Sequence, residues 1–239
     1  QVHPSGTEET IKIIGLRRKI AQQMVIAKTT APHFTYVEEI DGTRLVEVRN
    51  QLKAQAAARG VKLTYLPFIA KACSIAFRDF PNLNAWMNTE TYELTVKGDH
   101  NLGIATDTPQ GLFVPVCKNI EQKSILHIAA EMVDVTSRTR AGQANKDDLS
   151  GSTFTITSVG NIGGVLATPI LNVPEVFILG VNKIRDRAMV IDGEICVRKM
   201  FYLSPSFDHR IIDGAVAARF IARVKELLET PESLLLELS

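Results

Sequence analysis

The stretch SFDHRIIDG, residues 206–214, places Asp208, His209, Arg210 and Asp213 within six positions and closes on Gly214. Before it runs EICVRKMFYLSPSF (194–207), apolar and rich in strand-forming residues. After it, Val216, Phe220, Val224, Leu227 and Leu228 recur at helical spacing. The pattern predicts one or two strands, a tight turn, and a helix over about residues 213–229. Asp213 suits the N-cap of that helix and Gly214 its first turn, while Asp208 and Arg210 read as solvated charges. That assignment leaves His209 without a structural task. A histidine held at the end of a strand is well placed for general-base work, because its ordinary pKa lies near neutrality.

Working outward, residues 16–28 carry Leu16, Ile20, Met24 and Ile26 near helical spacing, and 31–41 read as a strand with Phe34, Tyr36 and Ile40 on one face. A helix is expected over 43–59, capped by Thr43 and stopped by Gly60. Another is expected over 63–81, with Pro67 in its first turn and Pro81 at its end. Residues 91–98 and 100–108 read as two strands around a Gly-Asp turn. GLFVPVCKN (111–119) reads as a sheet edge or bulge because of Pro115. A long helix follows over 121–142, then a strand at 153–159 and a nearly continuous apolar strand at 175–184, which suits the centre of a sheet. Helices and strands mix without regular βαβ alternation. The expected fold is α+β, a single domain with a mixed β-sheet flanked by helices.

The 239 residues, 45% hydrophobic and 22% charged, suffice for a substantial core. A net charge of +1 argues against a dedicated nucleic-acid binder. No apolar run approaches the ~18–20 residues that span a membrane. The opening QVHPSGTEET is polar and reads as the end of a linker, not as a secretory signal. Cys73, Cys117 and Cys196 are widely spaced in apolar surroundings and read as buried free thiols of a reducing compartment.

Other candidate chemistry is weaker. The glycine-rich SVGNIGG (158–164) follows a strand but lacks both the GxGxxG and the Gly-Lys-Ser/Thr signatures, and two prolines rather than a helix follow it. It reads as a loop that lets a backbone or ligand approach closely. His3, His33, His100 and His127 have no second His or Cys at ligand spacing, so no metal is expected.

DHRIIDG resembles the His-x-x-x-Asp-Gly motif of the dihydrolipoamide acyltransferases, the core subunits of 2-oxo acid dehydrogenase complexes. The chloramphenicol acetyltransferases share the fold and the histidine. LRRKIAQQM, HFTYVEEID, KLTYLPFIAKA, GIATDTPQGLFVPV, LSGSTFTITSVGNIGG, TPILNVPEVFILGV and FDHRIIDGAVAARF are similar to family blocks and stand in family order. The resemblance implies a catalytic domain over 14–239 behind a linker end at 1–13, with acyl transfer between dihydrolipoamide and coenzyme A. It makes His209 the base and places Thr157, or Ser158 one position on, where the family carries an oxyanion-binding hydroxyl. Asp213 takes the family's supporting position, with Arg17 or Arg18 as its candidate partner, and Arg49 matches a coenzyme A phosphate-binding position. Coenzyme A is then a substrate, the lipoyl group sits on a separate domain, and no metal is required.

The resemblance also implies trimers with the site between neighbours, assembled into a hollow core that binds lipoyl domains and dehydrogenase subunits. LLLEL (234–238) then serves as a tail anchor or docks on its own domain. No nucleic acid or membrane partner is expected, and the location would be a bacterial-type cytoplasm or a mitochondrial matrix. PHFTYVEEID and GVKLTYLPF lean towards the branched-chain members. Two rivals share the fold: a non-catalytic scaffold, against which His209 and the hydroxyl at 157 count, and a chloramphenicol-type acetyltransferase, against which the many matching blocks count.

Overall fold

The structure is a computed structural model and describes residues 6, 8–158 and 163–237. Along the chain run α1 (Gly15–Thr30), β1 (His33–Thr35), β2 (Glu38–Asp41), α2 (Thr43–Ala58) and α3 (Leu66–Ala76). Then come β3 (Ala85–Asn88), β4 (Glu93–Val96), β5 (Leu102–Ile104), β6 (Thr106–Thr108), β7 (Gly111–Phe113) and β8 (Val116–Cys117). The remainder is α4 (Ile125–Arg140), β9 (Phe154–Ser158), β10 (Phe177–Val181), β11 (Arg185–Ile191), β12 (Glu194–Asp208) and α5 (Gly214–Glu229).

The main sheet is mixed, in the order β1-β12-β10-β9-β5-β8, with β2 and β11 also paired to β12. The residues ahead of His209 form one strand of 15 residues. Its first half makes a hairpin with β11 across Asp192-Gly193, both at positive φ as a tight hairpin turn demands. Its second half pairs with β10 on one side and with β2 and β1 on the other. The strand expected at 31–41 is split in two, yet β1 and β2 hold a single register against β12. The break falls at Pro205: Tyr36 N–H donates to its carbonyl at 3.2 Å, and proline has no N–H to return the bond.

Side-chain alternation gives the sheet two unlike faces. One bears Phe154, Ile156, Phe177, Leu179, Val181, Leu203 and Phe207, all in the main core under the helices. There Phe77 of the α3 C-cap stacks on Phe220 of α5 at 5.6 Å and meets Phe154 edge-on at 4.9 Å. The other face bears Thr155, Ile178, Gly180, Ser204, Ser206 and Asp208. It is largely buried as well: Ala31 at the end of α1, Leu171 and Ile178 form a second apolar cluster there, with Val173 packed against it. β10 is therefore buried on both faces, as its unbroken apolar run requires.

On that second face the polar groups bond one another. Thr35 and Ser206 share a hydrogen bond at 2.9 Å, and Asn182 Nδ2 donates to Ser204 Oγ at 3.0 Å. Glu175, 2% exposed, accepts from Ser152 Oγ at 2.5 Å, Thr155 Oγ1 at 2.7 Å and Asn172 Nδ2 at 2.8 Å. Burial pushes its carboxyl up to about 7, against the lowering effect of those three donors. Gly180 lets the layers close: a Cβ there would lie 2.4 Å from Ser204 Oγ and 2.8 Å from Ser204 O.

Several expectations are corrected. Residues 91–98 and 100–108 do not pair with each other. β4 pairs with the unforeseen β3, and β5 joins the main sheet between β9 and β8. Asn84 Nδ2 holds the chain open at this point, donating to Lys97 O at 2.8 Å and Asp99 O at 3.0 Å. The helix over 63–81 shortens to α3, and Pro81 opens a 3-10 segment at Pro81–Leu83 instead of ending a helix. Gly42, not Thr43, is the N-cap of α2. Asp41 Oδ1 accepts from Thr43 N at 3.0 Å, while Thr43 Oγ1 accepts from Lys199 N. Cys73 and Cys117 are buried, but Cys196 on the hairpin is only half-buried. The single strand expected at 111–119 is split at Pro115 into β7, which pairs with β6 in a separate sheet, and β8, which forms the edge of the main sheet as expected. Val159–Ile162 of the glycine-rich loop and part of the 1–13 linker lie outside the described residues.

Two stability predictions follow from this packing. Gly180→Ala forces β10 from β12 and should cost about 1–3 kcal/mol in chemical denaturation; an unchanged midpoint would contradict the close approach. Glu175 keeps a proton in the folded state that the unfolded chain, with its ordinary value of 4.5, gives up between pH 4.5 and about 7. Stability should therefore fall across that window, by something on the order of 3 kcal/mol. In Glu175→Gln the fall should flatten. Parallel stability curves for the two proteins between pH 5 and 8 would show that the carboxyl is already ionised when buried.

Candidate functional site

β12 delivers His209 to a turn fixed from several sides. The amide of Asp208 donates to Val176 O at 3.0 Å and that of His209 to Pro32 O at 2.9 Å. Ile211 N and Ile212 N both close on Asp208 O. The imidazole is exposed and tilts at 47° over Phe34, centroids 4.4 Å apart, with Phe34 in turn stacked on Phe207 at 5.2 Å. Among the described residues, neither ring nitrogen of His209 has a hydrogen-bond partner.

Asp208 and Arg210, expected from the sequence to be solvated charges, are instead largely buried and paired with each other. Asp208 is 2% exposed, and its Oδ1 accepts from Arg210 Nε and from Arg210 N, each at 3.0 Å. Its Oδ2 accepts from Arg210 Nη2 at 2.6 Å. A carboxylate buried this deeply needs such a fork. Asp213 does occupy the N-cap position of α5, but its exposed side chain makes no cap hydrogen bond. Among the described residues it forms no ion pair with Arg17, Arg18 or any other group.

Thr157 is half-buried near the end of β9, directly opposite Gly180, and its hydroxyl has no partner among the described residues. Ser158 points to the other face and is exposed. Within one chain, Thr157 and His209 do not meet. Thr157 aligns through Gly180 with Ser204, five residues short of His209 along β12. At ~3.3 Å per residue and ~4.8 Å per strand this separates them by roughly 20 Å. They also lie towards different faces, since Phe34 and Phe207 belong to the helix-covered side and Thr157 to the other.

Arg49 is half-buried and engaged within its own fold. Its Nε donates to Leu63 O at 2.9 Å and its guanidinium lies 5.3 Å from the Tyr65 ring centroid. His33 accepts from Leu171 N at Nε2, 2.9 Å, so Nδ1 carries the proton donated to Ala31 O at 2.7 Å. Burial lowers the pKa of His33, and that of His100, which bonds Ser74 Oγ at 2.7 Å. These two histidines hold backbone and core together. No group of three or more His, Cys, Asp or Glu able to hold a metal occurs among the described residues. No helix among them is long and apolar enough to cross a membrane. At the C-terminal tail Leu234 is buried on its own domain, while Leu235 and Leu236 are 69% and 88% exposed beside a groove walled by α2 and the start of α4. Leu238 lies outside the described residues.

Sequence reasoning overlooked Phe34, the Asp208–Arg210 pair and Glu175 as parts of this architecture. Glu175 was detectable as the one charge opening an apolar run, but its partners Ser152, Thr155 and Asn172 come from separate stretches.

Residues 5–236 match the family 2-oxoacid dehydrogenases acyltransferase (catalytic domain). The chain is 48% identical, over 96% of its length, to the lipoamide acyltransferase component of the branched-chain alpha-keto acid dehydrogenase complex of Pseudomonas aeruginosa, of which it covers 54%. The chain thus spans about half the length of the curated relatives it matches. Its fold is similar to that of Azotobacter vinelandii dihydrolipoamide acetyltransferase, a structure determined to study a serine, a histidine and an asparagine in that enzyme's catalytic mechanism. The TM-score is 0.91 at 38% identity, covering 98% of this chain and 99% of that one. The cubic core of the pyruvate dehydrogenase multienzyme complex matches equally, with a TM-score of 0.91, 38% identity and the same coverage of both chains. With its family match and close relatives spanning nearly the whole sequence, the chain belongs to the 2-oxoacid dehydrogenase acyltransferases and corresponds to their catalytic domain.

Proposed function

We propose that this domain transfers an acyl group between dihydrolipoamide and coenzyme A. The observation that carries the reading is a spacing. The serine and the asparagine studied in the Azotobacter enzyme stand 52 residues before and four after its histidine, the separations of Thr157 and Asp213 from His209. In this reading 14–239 is the catalytic domain and 1–13 the end of a linker, the lipoyl group arriving on a separate domain. The chemistry needs no metal.

The roles follow from the chemistry. A thiol with an ordinary pKa near ~8.5 is mostly protonated at neutral pH and a weak nucleophile. His209 removes the thiol proton of coenzyme A as its sulfur attacks the carbonyl carbon of acyl-dihydrolipoamide. The carbonyl π electrons move to oxygen, and the Thr157 hydroxyl donates to that oxyanion. When the intermediate collapses, the carbon–sulfur bond to dihydrolipoamide breaks and the departing sulfur takes the proton from the imidazolium. An oxyanion donor of this kind is worth about 3–4 kcal/mol. Since His209 and Thr157 lie at opposite ends of the sheet, the site is completed by His209 of one copy and Thr157 of the next. Self-association into trimers, and of trimers into a hollow core like the cubic one, fits that requirement and the exposed Leu235 and Leu236. Lipoyl domains and dehydrogenase subunits are the expected partners, in a bacterial-type cytoplasm or a mitochondrial matrix. Asp213 supports the turn electrostatically, and Arg49 contributes to the coenzyme A phosphates if it exchanges its carbonyl partner. The 48% identity to a branched-chain component favours a branched acyl group.

In an assay of acyl-coenzyme A with dihydrolipoamide, His209→Ala should abolish transfer while the assembly stays intact; retained turnover would sink the mechanism. Thr157→Ala should slow kcat by about a hundredfold or more, as loss of an oxyanion donor does, and a negligible effect would remove Thr157 from the site. Isobutyryl- and isovaleryl-coenzyme A should outperform acetyl-coenzyme A. No turnover with any of them would leave only the scaffold reading.

A further inference from the structure

A general base needs a third group to hold it, and among the described residues no side chain holds the ring nitrogens of His209. Asp213, the expected support, makes no cap hydrogen bond and no ion pair among the described residues. Orientation must then come from the backbone of the turn and from contact with the ring. Both are present. Asp208 and Arg210, the residues on either side of His209, are tied to each other by four hydrogen bonds, one through the Arg210 backbone and three through the guanidinium fork. The carbonyl of Asp208 takes two further amides, from Ile211 and Ile212. Arg210 Nη1 reaches Thr89 Oγ1 at 3.3 Å, which moors the turn to the connection between β3 and β4. With the turn closed on the buried side, the imidazole is left exposed on the other, where Phe34 supports its face.

We infer that the Asp208–Arg210 ion pair and the Phe34 ring are the positioning residues of His209, setting where its imidazole meets the substrate thiol. The inference rests on the proposed role of His209 as base. None of the three residues touches substrate in this scheme. Their effect belongs in kcat, because misplacement of a reacting group by about 1 Å can cost on the order of a hundredfold while binding is untouched. Lysine cannot replace Arg210, since it offers a point charge where the geometry uses a planar fork.

The test uses the assembled protein and the acyl-coenzyme A assay, with His209→Ala, Arg210→Lys, Arg210→Gln, Phe34→Leu and the neutral pair Asp208→Asn/Arg210→Gln. Sedimentation and melting measurements select variants that remain assembled, and kcat is taken per assembled protein. Arg210→Lys and Arg210→Gln should both lower kcat by about ten- to a hundredfold, with both KM values within about twofold. Phe34→Leu should lower it by about tenfold. The pH midpoint of kcat/KM should stay in place while its plateau drops. If His209→Ala is inactive but the Arg210 variants and the neutral pair turn over at the wild-type rate, the clamp is overturned and the acyltransferase reading stands. If Arg210→Lys restores full kcat where Arg210→Gln does not, charge rather than fork geometry matters, and the clamp is again overturned. If His209→Ala is active, the underlying reading fails and takes this one with it.

Discussion

β12 is held on both edges along most of its length, and the rest of the molecule is arranged around that fact. β10 fixes one edge of its second half, while β2 and β1 fix the other in an unbroken register. A one-residue slip would turn Phe207 out of the core and drive Asp208 into it. The register is therefore set by the strongest apolar demand in the sheet, the contacts of Phe207 with Phe177 and Phe34. His209 inherits this precision because it is the next residue after the ladder ends. The same register aligns Ser204 with Gly180 and Gly180 with Thr157, so one set of pairings places both candidate catalytic groups.

What could be read from the sequence was what depends on neighbours in sequence. The apolar run Phe177–Val181 announced a strand buried on both faces, and the periodicity from Val216 to Leu228 announced α5. The candidate residues His209, Thr157 and Asp213 were legible because they lie in recognisable blocks. Asp192-Gly193 carried a hairpin signal that went unread, and β11 was missed with it. Illegible were choices made by distant partners. β4 looked like the mate of β5 until Asn84, from another stretch, captured the carbonyls between them. Asp208 and Arg210 looked solvated because sequence says nothing of what covers a turn. Thr43 lost its capping place to a neighbour because Lys199, far along the chain, claimed its hydroxyl.

The second face of the sheet is unusual in being both buried and polar. Thr155, Ser204, Ser206, Asp208 and Glu175 are all at most 2% exposed. Such a layer is tolerable because its members satisfy one another, and it excludes alternatives that an apolar layer would permit. The small residues matter as much as the polar ones. Gly180, opposite Ser204, lets Pro169 approach to 3.6 Å of where its Cβ would be, and Gly103, opposite Thr155, leaves room for the Val114 side chain. The hydroxyl of Thr157, opposite Gly180, has no partner among the described residues.

The Thr157 hydroxyl at one end of the sheet and the His209 imidazole at the other have the same form: each is held by its backbone, and among the described residues neither has a hydrogen-bond partner. A single chain cannot bring them together without breaking the β9, β10 and β12 pairings that define the fold. Under the proposed function this makes catalysis a property of the assembly, because each interface between neighbours completes one site and a lone chain completes none. It also explains why His209 needs local restraint rather than a carboxylate deep in its own domain. A base that must meet a hydroxyl on another subunit has to stand at the surface. At the surface, a turn closed by a buried ion pair and a ring packed on Phe34 supply rigidity that an exposed hydrogen bond to Asp213 would not.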